Sequence, residues 1–399
     1  MKIALVSPLP PARTGVADYA SALQKELSKH AQVTAIESPN LAELETFDAC
    51  LYQLGNNQLH GDAYEAALGV PGVVVLHDVV LHHFMLGRLS RQEYIEEFVY
   101  NHGEWMRHLG EELWRDRVLS AADHRYFEYP MIRRLVECSR AVIVHNPKAK
   151  RMVSEAASNA GLNPSSEPTS EPTSTSASEA ALAPPIFEIP HFAAAPELPG
   201  ESERAATRKR LNIPADAVVI ATFGYMRPSK RLRSLVHAAR ALTTLTTPYR
   251  LLLVGDFVSP EYETTVDAVL DGIPSIRLPF VPEEEFWQLV AVTDICVNLR
   301  YPSAGETSGI AAKLNSAGKP VIVTNGEEYA GYPEGVVLKV DAGESEVELL
   351  AHYLCALAEE PEMRSVIGGR AARFAAEHQS IERAGALYMQ ALRQVAGLR

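Results

Sequence analysis

The sequence predicts an α/β protein made of two Rossmann-like domains with parallel sheets, and three observations carry that expectation. Short apolar runs of strand length alternate with helical patterns through both halves, as in βαβ units whose strands are buried on both faces. The chain has 399 residues, more than the ~250–300 at which a single core stops growing. The alternation breaks once, at residues 163–185, and then resumes in the same rhythm.

In the first half, residues 2–7, 33–37, 49–54, 73–77 and 142–145 read as strands. Residues 16–28 read as a helix with Tyr19, Ala20, Leu23 and Leu27 on one face, and another helix starts at Pro147. The long charge-rich stretch 80–137 is expected to be helical. Residues 163–185 (NPSSEPTSEPTSTSASEAALAPP) hold no aromatic side chain and scarcely any large apolar one, so they cannot offset their ordering entropy. They read as a disordered insertion, inert rather than regulatory. A strand is expected at 186–192 and a linker at 193–199.

The second half places strands at 218–223, 251–254, 276–280, 295–299, 320–324 and 336–340, with helices at 230–242, 260–270, 283–292 and 308–317. Residues 364–398 read as helices for which one doubly wound sheet has no place. The domains are therefore expected at 1–192 and 193–374, with a C-terminal helix in 375–399 packing back on the first.

Composition narrows the function. The net charge of −13 disfavours a nucleic-acid binder, while leaving local basic clusters for small anions. Cys50, Cys138, Cys296 and Cys355 are scattered, with no metal-ligand spacing, which fits a reducing compartment. The opening MKIALVSPLPPA has too short an apolar core for a signal peptide and reads as a strand. No apolar run approaches the ~18 residues of a membrane span. The expectation is a soluble, cytoplasmic protein, with peripheral contact at the inner membrane face left open. GxGxxG, P-loop, HExxH and GxSxG patterns are all missing, so oxidoreductase, NTPase, zinc-peptidase and serine-hydrolase readings lose support.

Ligands of open α/β sheets bind at the carboxyl ends of the strands. Three segments qualify there. In FGYMRPSKRLRSLVHAARAL, residues 223–242, Gly224 permits a turn, Ser229 is the expected N-cap, and Lys230, Arg231 and Arg233 crowd the first helical turn. Cations there oppose the helix dipole unless an anion binds; the alternative is a solvated basic turn. In LRYPSAGETSGIAAKLNSAGKPVIV, residues 299–323, a Gly/Ser-rich loop precedes a helix starting near Ser308. Glu306 there either accepts bonds from sugar hydroxyls or stabilises the positive helix end. In the first half, Arg13, Thr14 and Gly15 form a turn after the first strand, and His77 and Asp78 end the strand VVVLH. A histidine so placed is either structural or turned to a cleft; His82, His83, His145 and His191 read as structural.

Together these motifs resemble the retaining glycosyltransferases of family 4, which have the GT-B fold. The resemblance runs through SPLPPARTGVADY, YQLGNN, VVVLHD and AVIVHN, then FGYMRPSK, LLLVGD and GETSG…AGKPVIV, over nearly the whole chain outside 163–185. It implies two Rossmann-like domains with sheets facing across a cleft. The second domain would hold a nucleotide diphosphate sugar as co-substrate, and the first would present a glycan, lipid-linked or small-molecule acceptor. It puts Lys230 on the diphosphate, Gly15 on the glycine loop near the phosphates, and His77 near the reacting sugar. Gly224, Arg227, Arg231, Gly305, Glu306, Thr307, Ser308 and Gly309 would line the donor, with Arg13, His77 and Asp78 on the acceptor side. No tightly bound cofactor and no metal are implied.

The sequence departs from the family pattern twice. Alignment on AGKP puts Gly305 and Lys313 at the two glutamates of the E-x7-E motif, with Glu306 one residue late. Tyr225 stands where many members have a phosphate-binding Arg, with Arg227 or Arg231 as replacements. A non-catalytic nucleotide-sugar scaffold and a GT-B epimerase or phosphorylase are the alternatives.

Overall fold

The computed structural model describes residues 1–12, 14–160, 183–193 and 196–397, without the side chains of 159 and 160. Arg13 and all but the last three residues of the expected disordered insertion lie outside the described residues. The chain divides into two units. One is Met1–Pro190 with Ala304–Thr307 and Ile381–Arg399, and the other is His191–Ser303 with Ser308–Ser380.

The sheet of the first unit has strands β1 (Lys2–Val6), β2 (Gln32–Ile36), β3 (Ala49–Leu54), β4 (Val73–Leu76), β5 (Ala141–Val144) and β6 (Ile186–Glu188). All pair in parallel, in the order β2-β1-β3-β4-β5-β6. Ala4, Val6, Tyr52, Leu54, Val74 and Leu76 join one apolar core. The alternate positions Ile3, Leu5, Leu51, Val73 and Val75 are also buried, so β1, β3 and β4 are mostly apolar on both faces, with Gln53 a buried exception. Thr14 caps the helix Gly15–Leu27, which packs on the C-terminal helix Ile381–Gly397. There the Tyr19 and Tyr388 hydroxyls meet at 2.9 Å. The 80–137 stretch contains four α-helices, His82–Arg88, Arg91–His102, Arg107–Asp116 and Arg133–Cys138, the second opened by a Ser90–Glu93 capping box. β6 is shorter than the run 186–192 suggested, since Pro190 has no N–H for a ladder.

The second unit repeats the design with β7 (Val218–Phe223), β8 (Tyr249–Val254), β9 (Ser275–Leu278), β10 (Ile295–Asn298), β11 (Val321–Thr324) and β12 (Leu338–Val340). Their order is β12-β11-β10-β7-β8-β9, again parallel. Alternate residues of β7 and β8 feed two separate cores. Val218, Ile220, Leu251 and Leu253 face one, and Val219, Ala221, Phe223, Leu252 and Val254 the other. Each Val, Ile, Leu or Phe side chain so buried contributes roughly 1.5–3 kcal/mol.

Two features correct the sequence reading. No helix runs through 230–242 with Ser229 as its N-cap. Pro228–Lys230 form a single 3-10 turn, Arg231 takes the N-cap position in a left-handed conformation (φ 57°), and the helix is Leu232–Ala239. Pro228 presets the tight turn, and the turn buries Lys230 instead of leaving it on an exposed helical face. Helices Glu201–Arg210 and Glu346–Glu359 are additional to those expected.

Candidate functional site

Strand order reverses between β7 and β10 in the second unit, which is where an open α/β sheet leaves a crevice at its carboxyl edge. The turns after β7 and β8 close on each other there. A Cβ on Gly255 would lie 2.2 Å from the Gly224 carbonyl oxygen, so only glycine permits that approach. Gly224 itself has φ 93°, and a Cβ on it would stand 3.4 Å from Lys230 Nζ. Lys230 is buried, and Nζ donates to the Phe223 carbonyl and, at 3.5 Å, to Asn298 Oδ1. Asn298 Nδ2 donates to Ser308 Oγ at 2.9 Å, and that oxygen accepts from Ala311 N, capping the helix Gly309–Ser316. A buried ammonium, an amide and a helix start thus converge at the switch point. The helix start offers N–H groups and partial positive charge, so cation and helix act in the same direction on an anion.

The neighbouring basic residues divide by role. Arg231 gives its Nε and Nη2 to the buried Glu346 carboxylate, Nε at 2.9 Å and Nη2 at 2.8 Å from Oε1. It clamps the helix Glu346–Glu359. Arg227 is half-buried on the turn, and Tyr225 beside it is 55% exposed. Lys313 turns away from this edge, with Nζ 3.3 Å from Glu283 and 5.5 Å from the centre of the Phe286 ring.

In the first unit the described carboxyl edge carries a group of buried imidazoles. His77 follows β4 and is buried, with Nε2 2.7 Å from Gln53 Oε1. Its ring packs edge-on against Tyr19 and lies 4.9 Å from that of His145. His145 Nδ1 bonds the Ile189 carbonyl at 2.8 Å, and burial pushes its pKa down to about 4. His60, bonded to the Gln53 carbonyl, is likewise pushed to about 4 by burial. Both are neutral at pH 7. Asp78 Oδ2 accepts from Asn56 N at 2.8 Å. Gly15 is the first residue of its helix, exposed, with nothing within 4 Å of where a Cβ would be.

The tetrapeptide Ala304–Thr307 also belongs to this unit. The Val79 and Val80 N–H groups both donate to the Ala304 carbonyl, and Asn146 Nδ2 donates to Gly305 O and Thr307 Oγ1. Glu306 is buried among them at 6% exposure. The first unit therefore gathers His77, Asp78, Gly305, Glu306 and Thr307 beside β4. The second gathers Gly224, Arg227, Lys230, Ser308 and Gly309 at its switch point, with Arg231 turned to Glu346. Gln53, Asn146, Asn298 and Glu346 join these networks without having been singled out. Asn298 ends a strand and Asn146 follows one by two residues, so the carboxyl-end rule points to both. Both are uncharged, and although Asn146 closes the AVIVHN run, neither stood out as a site residue. Among the described residues no group of three or more His, Cys, Asp or Glu is placed to hold a metal ion, and no helix is long and apolar enough to cross a membrane.

Two six-stranded parallel sheets with their helices make this an α/β fold of the GT-B glycosyltransferase type. Among solved structures the chain is similar to HepE of Anabaena in complex with UDP and glucose, with a TM-score of 0.66 and 15% identity over 99% of this chain and 100% of that one. It is similar also to sucrose-phosphate synthase of Thermosynechococcus elongatus, with a TM-score of 0.65 and 15% identity over the whole of both chains. WaaG, a glycosyltransferase involved in lipopolysaccharide biosynthesis, gives 0.58 and 14% over 99% and 100%. At such identities the likeness is one of fold. No protein-family model matches the chain, and no curated protein sequence matches it.

Proposed function

We propose that the protein is a retaining glycosyltransferase of family 4, moving a sugar from a nucleoside diphosphate sugar to an acceptor hydroxyl. The observation that carries this reading is the Lys230–Asn298–Ser308 chain at the second switch point, a buried cation beside a helix start on a GT-B scaffold. In the reaction the anomeric C–O bond breaks with its electrons passing to the β-phosphate oxygen. Lys230, Arg227 and the N–H groups of residues 308 and 309 stabilise that charge, a contribution that is often the largest in catalysis. The acceptor oxygen attacks the same face of C1 and gives its proton to the departing diphosphate, so configuration is retained without an enzyme nucleophile. Glu306 and the backbone of Gly305 and Thr307 orient the donor sugar, and His77 and Asp78 position hydroxyls on the acceptor side. With cations at the phosphates the reading requires no metal. The second unit is the donor domain, the first the acceptor domain, of a cytoplasmic enzyme.

UDP-glucose is the first donor to test, since HepE, a neighbour in fold, is described in complex with it. A second reading, a non-catalytic nucleotide-sugar binder, is favoured by one observation. Lys313, at the family's second glutamate, is engaged with Glu283 and Phe286. Release of nucleoside diphosphate from UDP-, GDP-, ADP- and dTDP-sugars with mixed acceptors separates the two. Turnover with an α-linked donor giving an α-linked product supports the enzyme. Saturable donor binding without release from any donor supports the binder.

A further inference from the structure

Asn146 is buried, and its two ends are engaged by groups of opposite kind. Oδ1 accepts from Ala149 N at 2.8 Å, in the first turn of the helix Pro147–Ala160. Nδ2 donates to the Gly305 carbonyl and to Thr307 Oγ1, each at 2.9 Å. A backbone N–H on one side and a carbonyl on the other fix which atom is oxygen and which nitrogen. The segment it holds has a second anchor, the paired Val79 and Val80 N–H groups on the Ala304 carbonyl, each at 3.0 Å. Between the anchors, Gly305 takes φ 77°, and a Cβ there would meet Val79 Cβ and Met152 Sδ at 3.3 Å. A side chain at 305 would be strained by that φ and crowded by those neighbours, and the carboxylate stands one residue later, at the buried Glu306.

We propose that Asn146 is a positioning residue. It fixes residues 305–307 so that the Glu306 carboxylate and the neighbouring backbone groups are set in place before a donor sugar arrives. This rests on the reading of those residues as donor-sugar contacts. The helix cap and the clamp are the same carboxamide, so the start of the helix Pro147–Ala160 locates the segment. A pre-set segment pays its ordering entropy at folding, which lowers the cost of reaching the transition state without tightening the grip on the nucleotide.

The test is Asn146→Asp, which keeps an acceptor for Ala149 N at a helix start that favours negative charge, but turns an anionic oxygen to the Gly305 carbonyl. Amide exchange at residues 79, 80, 306 and 307 should quicken by about tenfold or more, with that of the helix Pro147–Ala160 unchanged. The kcat for sugar transfer should fall by about tenfold or more, with the Kd for UDP held within about twofold. Thr307→Val, which removes one of the two bonds, should give a smaller change of the same kind. If the introduced carboxylate unfolds the chain, Asn146→Ser replaces it, since its hydroxyl caps the helix but is too short to reach Gly305. Unchanged exchange at 306 and 307 overturns the clamp, and faster exchange with full kcat overturns the positioning role. If the wild-type chain turns over no donor, the transferase reading fails with it, while the exchange measurement still decides the clamp.

Discussion

The two units share an architecture and differ in what their sheets carry at the carboxyl edge. In the first, Gln53, His60, His77 and His145 form a buried network of imidazoles and amides. In the second, Lys230 sits buried at a helix start, and the described histidines are exposed or half-buried. One edge presents imidazoles, amides and carboxylates that make directional bonds, the other a buried cation placed to receive negative charge. A sheet of given topology fixes where a ligand lies, while the residues one to seven positions past each strand fix its chemistry.

The largest expected effect that separates the units is acid sensitivity. Burial pushes His60, His102 and His145 down to about 4 and His82 to about 3, from 6.5 when unfolded. The unfolded chain therefore binds protons that the folded first unit refuses. That stability is fully present above about pH 6.5 and is lost as pH falls through about 4, or about 3 for His82, at up to roughly 3–5 kcal/mol for each imidazole. Calorimetry from pH 7.5 to 4.5 should show a transition for the first unit moving down while that of the second stays. Equal movement of both would erase the contrast.

Next in size is Lys230→Ala. Removing one preorganised group at the leaving diphosphate should lower kcat/KM about 10²–10³-fold, with weaker UDP binding and an unchanged fold. Unaltered UDP affinity would take the anion site away from the second edge. The smallest effect is that of Arg231→Ala, which leaves Glu346 buried without its partner. Because Arg231 is itself partly exposed, the loss should be about 1–3 kcal/mol of stability in the second unit. Denaturant titration measures it, and UDP affinity should hold within about threefold, since Arg231 lies off the anion path in this reading. A larger loss of affinity would make it a ligand contact.

Much of the fold was legible in the sequence. The expected bounds of β3, β7 and the helices Pro260–Leu270 and Glu283–Val292 coincide with those observed. Each is a buried apolar run or a helix bounded by proline or acidic residues, where local signal and tertiary demand agree. Glu201–Arg210 was silent because ESERAATRKR has no apolar stripe, and its buried positions are Thr207 and Arg208. Glu346–Glu359 does carry one, in Leu350, Leu354 and Leu357, and could have been read. At the site, the chain path at Arg231 was hidden. A left-handed residue that is not glycine is set by what surrounds it, here Glu346 from over a hundred residues away. Asn146 escaped for the same reason, since its partners at 305 and 307 are distant in sequence.

The meeting of Tyr19 with Tyr388 across 369 residues has a consequence for biosynthesis. On the ribosome, N-terminal domains ordinarily mature while the rest is being made. Here the helix Gly15–Leu27 waits, one flank uncovered, until the segment Ile381–Gly397 has been translated. The half of the molecule that is born first is the half that finishes last.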